Sequence, residues 1–179
     1  VLPRSADDEE TARALSSVLP VVLEQADYEQ VYSDTWWRKL KQGTGVKGVF
    51  WDPEQCGGVG EISIRPMNLL MLYWEPGVED IQSSPNFFSL SLEDTKQLEA
   101  RWPQLEGHST SVLDVPRYIH DGGLDTSTKS VVVDWYYKKA GRLHYCKFVN
   151  DCVLYASEND PDYAGRGYYD HGKYPFVMD

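Results

Sequence analysis

The chain has 179 residues, with 28 acidic side chains against 17 lysines and arginines, and so a formal net charge of −11 at pH 7. Its hydrophobic content of 41% and aromatic content of 13% exclude an intrinsically disordered chain, which needs few apolar residues. The acidity argues against a free-standing nucleic-acid binder, because affinity for phosphate comes mainly from lysine and arginine. The length predicts a single domain over residues 1–179.

Several features bear on the setting of the protein. No apolar run approaches the 18 or so residues that a membrane span requires, so we expect no membrane partner. The three cysteines are an odd number in a chain without an Asn-x-Ser/Thr sequon, which favours a reduced, cytosolic setting. The chain begins without methionine and ends on an apolar run at 174–178, so we expect an excised fragment of a longer protein.

Residues 1–43 are predicted to form a helical segment. Acidic residues at 7–10 suit a helix start, where the helix dipole favours negative charge. Apolar residues then recur at helical spacing, and Pro20 is expected to kink or divide that helix. A second helix is predicted from about Tyr28 to Gln42, ending at Gly43. The two apolar stripes, which predict a helical hairpin, are Ala14, Leu15, Val18, Leu19, Val22 and Leu23, and then Val31, Tyr32, Trp36 and Leu40.

Residues 44–179 are predicted to be mainly β. The stretch 46–51, a glycine-rich turn and the alternating 61–65 predict a hairpin, and further strands are expected at 69–74 and 86–92. A short helix near 93–102 should begin at Ser91 and end before Pro103. Residues 104–128 are predicted to be a long, partly helical loop.

The last third predicts a three-strand meander, 130–138, 143–149 and 153–157, with two-residue turns. In this register Asp134 lies opposite Lys147 as a cross-strand ion pair. Cys146 and Cys152 point to opposite faces and should not form a disulfide. One face carries Val133, Phe148 and Val153 together with Trp135, Cys146 and Tyr155. The predicted class is α+β, with an N-terminal helical hairpin packed on a mostly antiparallel sheet.

Three sequence patterns resemble ligand-binding or catalytic sites, but each is better explained by a structural role. The G-x-G-x-x-G at 43–48 follows a helix and precedes a strand, the reverse of a dinucleotide site, so a helix-to-strand connector is expected. The acidic stretch 158–162 lacks the ligand spacing of a calcium loop. The four histidines show no zinc spacing and no catalytic dyad. We therefore predict no enzyme, no catalytic residue, no metal and no cofactor.

Paired aromatic residues predict a surface. Runs at 36–37, 135–137 and 168–169 place large side chains on both faces of an element, so one member of each pair lies outside the core. Such a residue can pack on a neighbouring subunit or missing chain, on the local core, or on a ligand as a sugar platform. The residues assigned to a possible subunit or missing-chain interface are Trp36, Trp37, Tyr136, Tyr168 and Tyr169.

Four phrases carry a resemblance to a known family. They are the run 32–53 (YSDTWWRKLKQGTGVKGVFWDP), YWEPG at 73–77, VVVDWYYKK at 131–139 and YDHGKYPF at 169–176. Together they span nearly the whole chain and resemble tailed-bacteriophage portal proteins, the head-to-tail connectors, and the piece suits their wing region.

The resemblance implies a structural subunit of a ring, usually a dodecamer, at one vertex of the virion capsid. Its implied partners are further copies of itself, terminase, capsid and head-completion proteins. Double-stranded DNA would pass through the ring without sequence-specific binding, and assembly would occur in the bacterial host cytoplasm. Two alternatives stay open: an aromatic-rich carbohydrate-binding module or hydrolase fragment, and a generic protein-interaction domain.

Overall fold

A computed structural model describes residues 1–108 and 128–179 of the chain. Most of the loop predicted at 104–128 lies outside these residues. The fold is α+β, as predicted, with two N-terminal helices followed by antiparallel sheets. The helices are α1 (Glu9–Gln25), α2 (Tyr28–Gln42), α3 (Thr95–Arg101) and α4 (Pro161–Ala164). The strands are β1 (Val46–Asp52), β2 (Glu61–Pro66), β3 (Leu72–Trp74), β4 (Asn86–Asp94), β5 (Lys129–Lys139), β6 (Arg142–Val149), β7 (Cys152–Ala156) and β8 (Phe176–Met178).

The contacts group the chain into two compact units. The first unit comprises residues 1–69 together with 175–179, and the second comprises residues 70–174. The first unit therefore combines the helical segment with β1 and β2 of the mainly β segment. A single domain over residues 1–179 stays a prediction.

The first unit contains a three-stranded antiparallel sheet in the order β2-β1-β8. The predicted hairpin forms its larger part, with Val49 opposite Ile64. The last strand returns to the other side of β1, where Phe176 lies opposite Gly48. Helix α2 packs on this sheet, and Arg38 donates a hydrogen bond to the carbonyl oxygen of Met67 at 3.0 Å.

The glycines at 43–48 form the predicted helix-to-strand connector. Gly43 ends α2 with φ +82°, and its N–H donates to the Lys39 carbonyl at 2.8 Å. A Cβ at Gly45 would lie 2.7 Å from both Cγ2 and the carbonyl oxygen of Thr35. These glycines close a helix and let a strand start against it, so their roles are structural.

Helix α1 departs from its prediction in two ways. It runs through Pro20 as one helix, so the expected division is wrong and the expected kink stays a prediction. Its only buried residue is Ala12, while Leu15, Val18 and Leu19 of the predicted stripe are exposed. The apolar period identified the helix correctly, but most of its apolar stripe is not covered by the described part of the chain.

The second unit is a five-stranded antiparallel sheet in the order β3-β4-β5-β6-β7. The predicted meander forms β5, β6 and β7. The short helix predicted near 93–102 is α3, and its N-cap is Asp94 rather than Ser91, with the carboxylate accepting from the N–H groups of Lys96 and Gln97. A core cluster covers one sheet face with Leu98, Leu105, Val132, Val149, Cys152 and Leu154.

The predicted register of the meander holds between β5 and β6. Asp134 lies opposite Lys147, and their charged groups are 3.4 Å apart. Between β6 and β7 a bulge shifts the pairing, so Tyr155 lies opposite Lys147 and not Cys146. Cys146 and Cys152 are both free, as predicted, because the strands direct them to opposite faces.

Candidate interaction surface

Helix α2 carries a row of aromatic rings along one side, which we call the aromatic row: Tyr28, Tyr32 and Trp36. The residues are four apart, a spacing that places side chains above one another on a helix. Neighbouring ring centroids are 6.3 and 6.4 Å apart, and the planes of Tyr32 and Trp36 differ by 13°. Tyr32 and Trp36 are each 49% exposed. The row is thus ordered by its own contacts while half of its outer surface meets solvent.

The buried side of α2 is narrow. Only Val31 and Thr35 are buried within the helix, and the Thr35 hydroxyl donates to the Val31 carbonyl at 2.7 Å. The sequence predicts that Val31, Tyr32, Trp36 and Leu40 form one apolar stripe of a packed helical hairpin. Of these four, Val31 is buried and the other three are exposed, because Thr35 and the glycine connector occupy the inner side of the helix.

The base of the aromatic row holds a buried charge. Lys47 on β1 is 7% exposed, and its ammonium lies 2.8 Å from a carboxylate oxygen of Asp179 and 3.5 Å from the Tyr28 hydroxyl. The ammonium also lies 5.5 Å from the Tyr32 ring centroid. Burial disfavours the charge, but the bonds to Asp179 and Tyr28 outweigh it and the pKa of Lys47 is raised. Lys47 therefore stays a cation that anchors the row to the sheet.

The last turn of α2 combines aromatic, apolar and basic side chains. Trp37 is 59% exposed and Leu40 is 64% exposed. The ammonium of Lys39 lies 5.5 Å from the Trp36 ring centroid, and that of Lys41 lies 4.8 Å from the Trp37 ring centroid. In the described part of the chain, neither lysine forms an ion pair. We use the name α2 face for Tyr32, Trp36, Trp37, Lys39, Leu40 and Lys41, of which Lys39 is half-buried and the others are exposed.

A second apolar patch lies on the three-stranded sheet. Alternate residues of a strand share one face, so Lys47, Val49 and Trp51 lie on the same side of β1. Val49 pairs with Ile64 and Trp51 with Ile62, and Val49, Trp51 and Ile62 are all exposed. This patch could not be predicted from the sequence, because the alternation of residues along a strand does not show which of its faces is covered.

Tyr136 belongs to the core, contrary to its predicted interface position. It is 5% exposed, and its ring centroid lies 4.9 Å from that of Tyr145 on the neighbouring strand. Its sheet face is the covered one, because Val132 and Val149 of the core cluster point the same way. The outer members of the run 135–137 are Trp135 and Tyr137, which are half-buried and stacked at 4.3 Å.

Tyr168 and Tyr169 lie at the edge of the same tyrosine cluster. The centroid of Tyr168 is 4.7 Å from that of Tyr145 and 4.8 Å from that of Tyr169. Burial raises the pKa of both Tyr168 and Tyr169. Both are half-buried, so they pack locally and leave only part of each ring exposed. An interface role for these two residues stays a prediction.

The five predicted interface residues thus fall into two groups. Trp36 and Trp37 lie together on α2, and the three tyrosines lie together in the second unit. The residues that the prediction missed are Tyr32, Leu40, Lys39 and Lys41. The available signal was the charge pattern, since basic residues interrupt the apolar stripe at the end of α2 and a fully buried stripe would not carry them.

The acidic stretch at 158–162 has a structural role. Asp160 caps α4 by accepting from the N–H of Asp162 at 3.0 Å, and it also accepts from the Tyr155 hydroxyl at 2.9 Å. Within residues 1–108 and 128–179, no cluster of three or more histidine, cysteine, aspartate or glutamate side chains is placed to hold a metal ion. Among these residues, no helix has the length and apolar character needed to cross a membrane.

The sequence was also compared with known proteins. No protein-family model matches it, and no curated protein matches it significantly.

Proposed function

We propose that this chain is part of the subunit of a bacteriophage portal ring, in which it is structural and not catalytic. The proposal begins from the four phrases that resemble portal proteins, which span residues 32–176. The observation that carries it furthest is the α2 face, where two tryptophans and a leucine are each about half exposed or more. Aromatic side chains of this kind are enriched where protein surfaces meet.

The exposed apolar surfaces support a subunit that is buried between copies. Soluble monomers rarely leave large apolar patches open, and such patches mark protein contacts. The first unit has the α2 face, the sheet patch at Val49 and Trp51, and the uncovered stripe of α1. A ring subunit meets a neighbour on each of two different sides, which would account for more than one such surface.

The charge of the chain suits a conduit for DNA. A ring that grips the phosphate backbone needs clustered lysine and arginine, whereas a net charge of −11 repels it. In the proposed assembly, DNA passes through without sequence-specific binding. Terminase, capsid and head-completion proteins would be the other partners, and the assembled ring would lie at the capsid vertex of the virion after assembly in the host cytoplasm.

Electron microscopy of the full-length gene product tests the proposal. We expect closed rings of a fixed number of copies, and a native mass that is an integral multiple of the subunit mass. A protein that stays monomeric at every salt concentration and protein concentration tested would overturn the proposal. The matched sample is the same product with both Trp36 and Trp37 replaced by alanine, in which ring formation should be reduced.

One observation favours a second candidate, a carbohydrate-binding surface. Sugar rings stack on exposed aromatic planes, and Tyr32 and Trp36 present two planes within 13° of each other, each half exposed. A glycan array with the purified chain tests this candidate. Binding that is lost in Trp36→Ala and retained in Trp51→Ala would support it, whereas no binding to any glycan would exclude it.

A further inference from the structure

The uncovered stripe of α1 and the α2 face are both apolar and carry opposite charges at one end. Along α1, Leu15, Val18 and Leu19 are exposed, and the helix begins after acidic residues at 7–10. Along α2, the exposed aromatic and apolar residues end in Lys39 and Lys41. Each helix thus has an open apolar stripe with charge concentrated at one end, and the two charges are opposite.

The lengths of the two surfaces also agree. From Glu10 to Val21 the rise along α1 is about 16 Å, and from Lys41 back to Tyr32 the rise along α2 is about 14 Å. If the helices run antiparallel, the acidic start of α1 lies beside the basic end of α2. The apolar residues of α1 then lie against Trp36, Trp37 and Tyr32. This arrangement also brings the positive end of one helix dipole to the negative end of the other.

Within the described residues of one copy, the acidic start of α1 and the basic end of α2 do not pair with each other. Among the described residues, no ion pair or side-chain hydrogen bond joins α1 to α2. Within residues 1–108 and 128–179, the one ion pair of α1 is internal, between Arg13 and Glu9, and the exposed Asp7 and Glu10 form none. The acidic start of α1 and the basic end of α2 therefore remain available to a second molecule.

We infer that α1 of one copy of this chain docks on the α2 face of a second copy. The acidic residues at 7–10 of the first copy lie beside Lys39 and Lys41 of the second, and the apolar stripe of α1 covers Trp36 and Trp37. The contact is between two different surfaces, so each copy offers both a donor helix and an acceptor face, as a ring requires. The inference rests on the proposed function for the association of copies, and it goes further by naming the contact.

Charge reversal in two places tests the contact. An α1-reversed variant carries Asp7→Lys, Asp8→Lys and Glu10→Lys, which leaves three lysines against Glu9 at 7–10, and an α2-reversed variant carries Lys39→Glu and Lys41→Glu. Each variant alone has like charges on the two surfaces, so its dissociation constant for self-association should rise about tenfold or more. Sedimentation velocity of the whole chain over a concentration series measures this constant.

Mixing the two variants gives the decisive result. In an equimolar mixture, the reversed α1 of one variant meets the reversed α2 of the other, and association should return to the wild-type level. A single chain with all five substitutions should also associate as the wild type does. The matched control for the α2-reversed variant is Lys96→Glu with Lys173→Glu, which makes the same change of net charge at two exposed sites and should leave association unchanged.

The possible outcomes distinguish the inferred contact between α1 and the α2 face from the proposal of a portal ring. A wild-type chain that is monomeric throughout, or a mixture that does not regain association, overturns the inferred contact, and the α2 face then belongs to another partner. Rings of the full-length product that tolerate both reversed variants also overturn the contact but leave the portal proposal standing. Association that follows the charge swap without any ring supports the contact and counts against the portal.

Discussion

The hydroxyl of Tyr145 donates a hydrogen bond to a carboxylate oxygen of Asp134 across 2.6 Å, between neighbouring strands of the five-stranded sheet. The same carboxylate lies 3.4 Å from the ammonium of Lys147. Burial raises the pKa of Tyr145, and the charge of Asp134 acts in the same direction, so the phenol stays protonated and available as a donor. A buried tyrosine thus donates to a carboxylate that also contacts a lysine on the same strand as the tyrosine.

Removing this hydroxyl should destabilise the second unit. We expect Tyr145→Phe to lower the free energy of unfolding by about 2 kcal/mol, because the bond is short and its acceptor is charged. Urea denaturation measures the change. The matched control is Tyr32→Phe, on the exposed side of α2, which should change the free energy of unfolding by less than about 0.5 kcal/mol. Equal effects of the two substitutions would contradict the role of the Asp134 bond.

Stability should fall at alkaline pH, in part through Tyr174. Burial raises the pKa of Tyr174 to about 12, and its hydroxyl donates to the Ser84 carbonyl at 2.7 Å. The unfolded tyrosine ionises near pH 10, so above that pH the unfolded state binds fewer protons than the folded state. Stability from this group is therefore complete below about pH 10 and is lost as the pH rises towards 12.

The substitution Tyr174→Phe separates the contribution of the hydrogen bond to Ser84 from that of the ionisation of Tyr174. At neutral pH the variant should lose about 1 kcal/mol, the usual net value of a hydrogen bond. Between about pH 10 and 12 its stability should fall less steeply than that of the wild type, because the ionising group is gone. The free energy of unfolding measured at several pH values gives both numbers, and identical slopes for the two proteins would refute the assignment.

Two glycines in the hairpin turn distinguish backbone strain from side-chain contact. Gly58 and Gly60 have φ of +92° and +88°, so alanine is strained at either position. A Cβ at Gly60 would lie 2.2 Å from the Trp51 ring, whereas a Cβ at Gly58 meets nothing within 4 Å. We expect Gly58→Ala to cost about 1 kcal/mol, and Gly60→Ala to cost about 1 kcal/mol more.

The extra cost at Gly60 should depend on Trp51. In a Trp51→Ala background, the ring is absent and the two glycine substitutions should cost the same. Thermal or urea unfolding is measured for Gly58→Ala and Gly60→Ala, each with and without Trp51→Ala. The wild type and Trp51→Ala are the two reference proteins. A difference that persists without the Trp51 ring would show that the turn itself, and not the ring, rejects the methyl group.

The exposed tryptophans of α2 should contribute to association rather than to folding. The double substitution Trp36→Ala with Trp37→Ala should weaken self-association while changing the free energy of unfolding by less than about 1 kcal/mol. By contrast, Phe87→Ala in the sheet core, where the ring is fully buried, should cost about 4 kcal/mol. The control Trp51→Ala removes an equally exposed tryptophan from the sheet patch, and the inferred α1 contact predicts unchanged association.

The strand pairing could be predicted because it depends on local chemistry. The two-residue turns of the meander fix its register, and they place Asp134 opposite Lys147 as expected. The bulge that moves Tyr155 had no signal in the sequence, because the alternation of β7 is compatible with either register. Local turns thus determine pairing up to the point where a strand must bend.

Surface positions were harder to predict than pairing. Trp36 and Trp37 were expected outside the core and are exposed, but Tyr136 is buried. Three consecutive aromatic residues on a strand must point alternately to its two faces, but their order does not show which face is covered. On α2 the same limit applies, because Val31 and Tyr32 are adjacent apolar residues and only packing decides that Val31 points inward.

The return of β8 to β1 has a consequence for the order of folding. Residues 175–179 complete a sheet whose other strands lie before residue 67, while the whole five-stranded sheet is encoded between them. During synthesis, residues 70–174 emerge before the last strand is available, so the five-stranded sheet can form first. The three-stranded sheet must then close a loop of more than a hundred residues, a step that costs entropy and is slow compared with forming a hairpin. A chain truncated after residue 174 would contain the whole second unit but would lack β8, so the edge of β1 that pairs with β8 would have no partner strand.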